Sequence, residues 1–159
     1  MLIDGALRAA MAAPVEEIVV VTGADPKVVA AAEAYADPRV RLVHAEDYAK
    51  GLSASLKAGV AALSPGIHGV FIFLGDMPRI PHDVFEPLRD AIANGAPAAA
   101  PAFGGARGHP VILASPLFGM LMELQGDNGA NGILNALGRQ VRTVPWGDDG
   151  VLFDVDVRQ

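Results

Sequence analysis

Short β-branched runs alternate with stretches of helical spacing along the first half of the chain. Residues 17–21 (EIVVV), 39–43 (RVRLV) and 69–74 (GVFIFL) are apolar on both faces, as strands buried in a parallel sheet are, and each is predicted as a strand. Asp25-Pro26, a cap followed by proline at the first helical position, predicts a helix over 26–36. A second helix is predicted over 52–63, where Leu52, Leu56, Val60 and Leu63 recur at helical spacing after Gly51. A third runs from Pro81 or His82 to about Asn94, where Asn94-Gly95 stops it. Residues 2–13 are predicted as an amphipathic helix ahead of the first strand, with Leu2 or Ile3, Leu7, Ala10 and Met11 on one side. Alternation of this kind implies βαβ units with right-handed crossovers.

The second half is less regular. Residues 98–103 and 110–113 flank the turn-rich GGARGH and predict a hairpin or an antiparallel edge. Helices are expected at 115–123 and 130–137, and strands at 141–144 and 151–155. No repeat or linker interrupts the 159 residues, a length that fits one domain.

Composition narrows the class. The absence of cysteine excludes a disulfide framework, a thiolate zinc site and a cysteine nucleophile. Twelve Lys+Arg against 18 Asp+Glu, with no basic run, argue against nucleic acid as the partner. No stretch approaches the roughly 18 uninterrupted apolar residues of a membrane span. Asp4 precedes any basic residue, unlike a signal peptide, so a cytoplasmic location is expected. Walker A, GxGxxG, GxSxG and HExxH patterns are absent.

Five constellations can carry chemistry. In Leu74-Gly75-Asp76-Met77-Pro78 a carboxylate follows a strand at the carboxyl end of the sheet, where open α/β sheets bind ligands. Such a group suits a hard cation like Mg²⁺; it also suits a helix or turn cap. Asp154 and Asp156 alternate with apolar residues and share one face of a strand, as a second cation ligand or as two solvated carboxylates. Gly51-Leu52-Ser53-Ala54-Ser55 opens a helix whose free N–H groups can meet an anion or the polar edge of a base, or be capped by Ser53. Gly104-Gly105-Ala106-Arg107-Gly108-His109 permits close backbone approach to a ligand and a bidentate arginine clamp on phosphate; a tight hairpin explains the same letters. Gly126-Asp127-Asn128-Gly129 opens another helix as an anion-friendly terminus or a capped loop.

Taken in order, EIVVVTG, GLSASLKAG, LGDMP, RGHPV, GDNGA and FDVDV resemble the molybdenum cofactor cytidylyltransferases, within the wider nucleotidyltransferases, over essentially the whole chain. The resemblance implies a single nucleotidyltransferase-like domain over 1–159, with a three-layer α/β/α Rossmann-like fold and a mostly parallel mixed sheet. It implies transfer of CMP from Mg²⁺-bound CTP to the phosphate of a molybdopterin-type acceptor, with release of pyrophosphate. By position, Asp76 is the catalytic metal-binding carboxylate and Asp156 its second, with Asp154 beside it. Gly51, Leu52, Ser53, Ser55 and Gly75 face the nucleotide, and Arg107, His109 and Asp127 the acceptor. Partners are then small molecules, with a molybdoenzyme maturation protein and self-association compatible with the same reading. Phosphoryl-type transfer needs positioning and charge neutralisation more than a protein nucleophile, so this apparatus suffices.

Two departures accompany the resemblance. The family opens with a strand and a glycine-rich loop of the type LAAGxSxRMG, whereas Met1-Leu2-Ile3 already falls in the family's first helix. The expectation is an N-terminally incomplete family domain in which other residues, such as a partner chain, supply that strand. Asn131 also stands where the family has arginine. The alternatives within reach are a homologue that binds a cofactor or partner without catalysis, and a guanylyl-, methylerythritol-phosphate- or sugar-phosphate-specific nucleotidyltransferase.

Overall fold

In a computed structural model of the chain, the described residues are 3–22, 30, 33, 37–45, 52–73, 80–123, 129–147 and 151. They fall into two compact units: Met1–Val15, Gly69–Ala114 and Arg139–Gln159 in one, Glu16–His68 and Ser115–Gly138 in the other. The helix expected over 26–36 lies for the most part outside the described residues.

In the second unit, β1 (Ile18–Thr22) and β2 (Val40–His44) pair in parallel, with Ile18 opposite Val40 and Thr22 opposite His44. The strand β1 meets its expectation: Ile18, Val20 and Thr22 are buried and Val19 and Val21 half-buried. Against it lies α2 (Leu52–Ala61), so close that a Cβ on Gly59 would stand 3.0 Å from Val21 Cγ2. The strand β2 departs from the expectation of burial on both faces, since Arg41, Leu42 and His44 are exposed. Its charges need water or partners, and those partners lie at the rim. Arg41 donates to Glu17 Oε1 at 2.7 Å and to the Ala62 carbonyl, while Arg39 forks onto Asp37 through Nε at 3.1 Å and Nη2 at 2.8 Å.

The first unit carries a five-stranded sheet in which β3 pairs with β6, β6 and β5 pair in succession with β4, and β7 also pairs with β4. Its strands are β3 (Gly69–Ile72), β4 (Ala98–Phe103), β5 (Ala106–Arg107), β6 (Val111–Ala114) and β7 (Val141–Pro145). The expected mixture of directions is present, but parallel pairs do not predominate among the described residues. Two pairs are parallel, β1–β2 and β4–β7, and three are antiparallel, β3–β6, β4–β6 and β4–β5. The reason is the turn after β4, which sends the chain back along β4 and between β4 and β3.

The core of this unit is built by α3 (Phe85–Ala93), which turns Phe85, Leu88 and Ala91 inward onto Ala99 and Ile112, with Ala9 and Ala13 from α1 (Ile3–Ala12) and its C-terminal end. A 3₁₀ turn at His82–Val84 precedes α3, so the helix begins later than Pro81. It ends where predicted, with Gly95 at φ 101°, Gly95 N–H donating to Ile92 and Ala96 N–H to Ala91. That is a Schellman cap, and its apolar contact is the buried pair Ala91 and Ala96. The carboxyl end of β3 is fixed by rings: Phe71 and Phe73 lie 5.7 and 5.9 Å from Phe85 in edge-to-face geometry. Two short helices complete the second unit, α4 (Phe118–Leu121) after a 3₁₀ turn at Ser115–Leu117, and α5 (Gly129–Leu137).

Candidate functional site

The GGARGH segment is a hairpin, one of its two readings. Gly104 and Gly105 have φ of 60° and 85°, the geometry of a two-residue turn whose twist matches the strands, and Phe103 faces Ala106 across it. Arg107 on β5 is exposed opposite Ala102. Beyond it the pairing slips. Four steps along β4, from Ala98 to Ala102, match six along the return strand, from Leu113 to Arg107, so residues 108–110 contain a two-residue bulge.

The bulge is where a distant segment docks. Gly108 N–H donates to the Pro101 carbonyl at 2.7 Å, and His109 N–H donates to the Val151 carbonyl at 2.9 Å. Val151 is fully buried, and a Cβ on Gly108 would stand 2.3 Å from its carbonyl oxygen. Only glycine admits Val151 there. The hairpin thus gathers exposed Arg107, half-buried His109 and the first residue of VLFDVDVRQ. Asp154 and Asp156 follow Val151 in sequence and lie outside the described residues.

In the second unit the expected helix after Gly51 begins at Leu52, which places Leu52, Ser53 and Ser55 in its first turn. No acidic side chain stands in that turn, so nothing on the helix itself neutralises its positive pole. Ser55 is half-buried. The helix expected at 130–137 is α5, also without an acidic residue in its first turn, where Asn131 lies. Gly51, Gly75, Asp76 and Asp127 lie outside the described residues. Among the described residues no three His, Cys, Asp or Glu side chains form a group that could hold a metal ion, and no helix is long and apolar enough to cross a membrane.

Sequence reasoning read Gly108 as one of several permissive glycines and missed its specific task. The signal available was its place between an arginine and His109-Pro110, but the residue that needs the space, Val151, lies 43 positions away.

Residues 1–142 match the family model of the MobA-like NTP transferase domain. A molybdenum cofactor cytidylyltransferase of Escherichia coli K12 is 32% identical over 100 residues, covering 62% of this chain and 49% of that protein. The chain therefore spans about half the length of this curated relative. The crystal structure of Rv0371c from Mycobacterium tuberculosis H37Rv superposes with a TM-score of 0.79 at 25% identity, covering 98% of this chain and 79% of that one. Its complex with manganese gives a TM-score of 0.75 at 24% identity, covering 92% and 76%.

Proposed function

Since the chain belongs to the MobA-like NTP transferase domain family, we propose that it transfers CMP from CTP to a phosphate oxygen of a molybdopterin-type acceptor. The acceptor oxygen bonds to the α-phosphorus, the bond from that phosphorus to the bridging oxygen breaks, and pyrophosphate leaves. The family match carries this reading, because it runs through residues of both compact units. Together they are proposed as one nucleotidyltransferase domain. The Escherichia coli relative, named for cytidylyl transfer to molybdenum cofactor, supports the base and the acceptor.

The residue roles follow the chemistry available. The first turn of α2, with Leu52, Ser53 and Ser55, offers N–H and hydroxyl donors to the nucleotide, and Gly51 and Gly75 are proposed for the same role. Arg107, His109 and Asp127 are proposed for the acceptor, since a guanidinium fork suits a phosphate. Val151, whose carbonyl accepts from His109 N–H at the hairpin bulge, is followed in sequence by Asp154 and Asp156. Asp76 and Asp156 are proposed as the carboxylates that would hold a hard divalent cation, and the manganese complex of Rv0371c supports such an ion. When bound, the cation neutralises charge on the triphosphate. Magnesium as the working ion and a cytoplasmic setting belong to the same proposal.

The test is pyrophosphate release with purified molybdopterin-type acceptor, Mg²⁺ or Mn²⁺, and CTP or GTP. Turnover with CTP over GTP that is lost in Asp76→Asn is the expected result. Asn131, in a place where the resembled family has arginine, favours a second reading in which the chain binds without transfer. Binding of CTP with no pyrophosphate release supports that reading, and absence of both overturns the first.

A further inference from the structure

At the opposite end of the first unit's sheet from the hairpin lies an open, solvent-facing cavity of about 440 Å³. It is formed where the loop after α3 meets the start of β7, and its lining includes Asn94, Pro97, Arg139, Gln140, Arg142 and Thr143. It flanks the amino ends of β4 and β7. Arg107 pairs with Ala102 near the carboxyl end of β4, four residues and roughly 13 Å along that strand from Ala98.

The charge of this cavity departs from that of the chain. The protein carries a formal net charge of −6, yet no acidic side chain lines the cavity and two arginines do. Both are exposed, and neither has an ion-pair or hydrogen-bond partner among the described residues. One structural use for cations beside a helix C-terminus is to satisfy its last carbonyls. Here backbone groups already do so: Asn94, Gly95 and Ala96 N–H donate to the carbonyls of Asp90, Ile92 and Ala91. The guanidinium groups are not spent on the cap. They stand three residues apart beside the carboxamides of Asn94 and Gln140 and the hydroxyl of Thr143, all of which can donate hydrogen bonds.

From this we infer that the cavity between the α3 cap and the start of β7 is a binding site for a diphosphate group, free or nucleoside-borne, held by Arg139 and Arg142. Two planar forks with neutral donors in the same lining match adjacent phosphates better than a single carboxylate. The site uses no residue assigned to nucleotidyl transfer, and because its pairing is direct it requires no metal ion.

The experiment titrates ¹⁵N-labelled chain with inorganic pyrophosphate in metal-free buffer containing EDTA, with a parallel calorimetric titration. Saturable amide shifts at Gly95, Ala96, Gln140 and Thr143 are expected. The double variant Arg139→Gln/Arg142→Gln should weaken binding at least tenfold, and Arg142→Lys, which keeps the charge and loses the fork, should fall between. The double variant Arg8→Gln/Arg89→Gln changes net charge equally at exposed positions outside the cavity and should leave binding intact. A nucleoside diphosphate that binds with the same dependence on both arginines supports the site as a reader of the diphosphate itself. No saturation by about 10 mM pyrophosphate, far weaker than metabolite sites commonly are, overturns the inference. So does binding that survives Arg139→Gln/Arg142→Gln, or shifts confined to the hairpin and the start of α2. Failure of CTP turnover leaves this metal-free result untouched, so the two proposals fail separately.

Discussion

Replacing Gly108 with alanine tests whether the hairpin bulge and the closing segment are one structural device. Gly108 does not have a positive φ, so its backbone conformation accepts an L side chain and any penalty comes from contact. The added Cβ would stand 2.3 Å from the Val151 carbonyl oxygen, 2.8 Å from its carbon and 2.9 Å from its Cβ. An ordinary carbon–oxygen contact is about 3.3 Å or more, so Val151 must retreat by about 1 Å. Overpacking of this kind costs about 1–3 kcal/mol, and loss of the His109 N–H to Val151 bond adds about 1 kcal/mol. Reduced freedom of the unfolded chain returns about 0.4–1 kcal/mol, leaving a net loss of about 1–3.5 kcal/mol. That is a large share of a stability of about 5–15 kcal/mol. The single tryptophan, Trp146, packs against the core of the same unit and donates its backbone N–H to the Ala102 carbonyl, so urea unfolding followed by its fluorescence reads the effect where it arises. Gly119→Ala is the control, since nothing lies within 4 Å of its added Cβ. Equal midpoints for Gly108→Ala and the parent would refute the reasoning.

Gly95→Ala places a side chain at φ 101° in the cap of α3 and should lower stability by about 1–2 kcal/mol, read as a fall in thermal midpoint. Glu17 gives a pH prediction. Hydrogen bonds from Ser64, and secondarily from Arg41, hold its carboxyl below the usual value of 4.5. The folded value lies below the unfolded one, so the stabilisation is present above about pH 4.5 and is lost as the pH falls through the folded value. Glu17→Gln should flatten that part of an acid titration of stability, by less than about 1 kcal/mol because Arg41 is half exposed. An acid slope identical in parent and variant would remove Glu17 from the account.

Where local chemistry decides, the sequence is an accurate guide. EIVVV becomes β1, Asn94-Gly95 ends α3, and Gly104-Gly105 closes a hairpin, each because a side chain or its absence restricts its own backbone. RVRLV shows the limit. Its β-branched residues do make a strand, but Arg39 and Arg41 draw it to the rim, and periodicity counts apolar positions without weighing what a guanidinium requires. Strand direction was less legible than strand position, because a bulge and a tight turn, not propensity, set the course of β5 and β6. Of the candidate site, the turn of the hairpin and the start of α2 were readable as local backbone features. The reason for Gly108 was not, since its partner is remote in sequence. The cavity at the α3 cap was equally invisible, because Asn94 and Arg142 meet only when β7 lies beside β4.

The central claim is that this chain recognises a cytidine nucleotide together with a divalent cation. Calorimetric titration of the folded chain with CTP, with and without Mg²⁺ and with GTP as control, tests it most directly. The account predicts binding of CTP over GTP that strengthens when Mg²⁺ is present and weakens in Asp76→Asn. A site that reads only diphosphate cannot discriminate the bases, so the comparison with GTP separates the two sites. A folded chain that binds neither nucleotide, or binds both alike with no response to Mg²⁺, contradicts it.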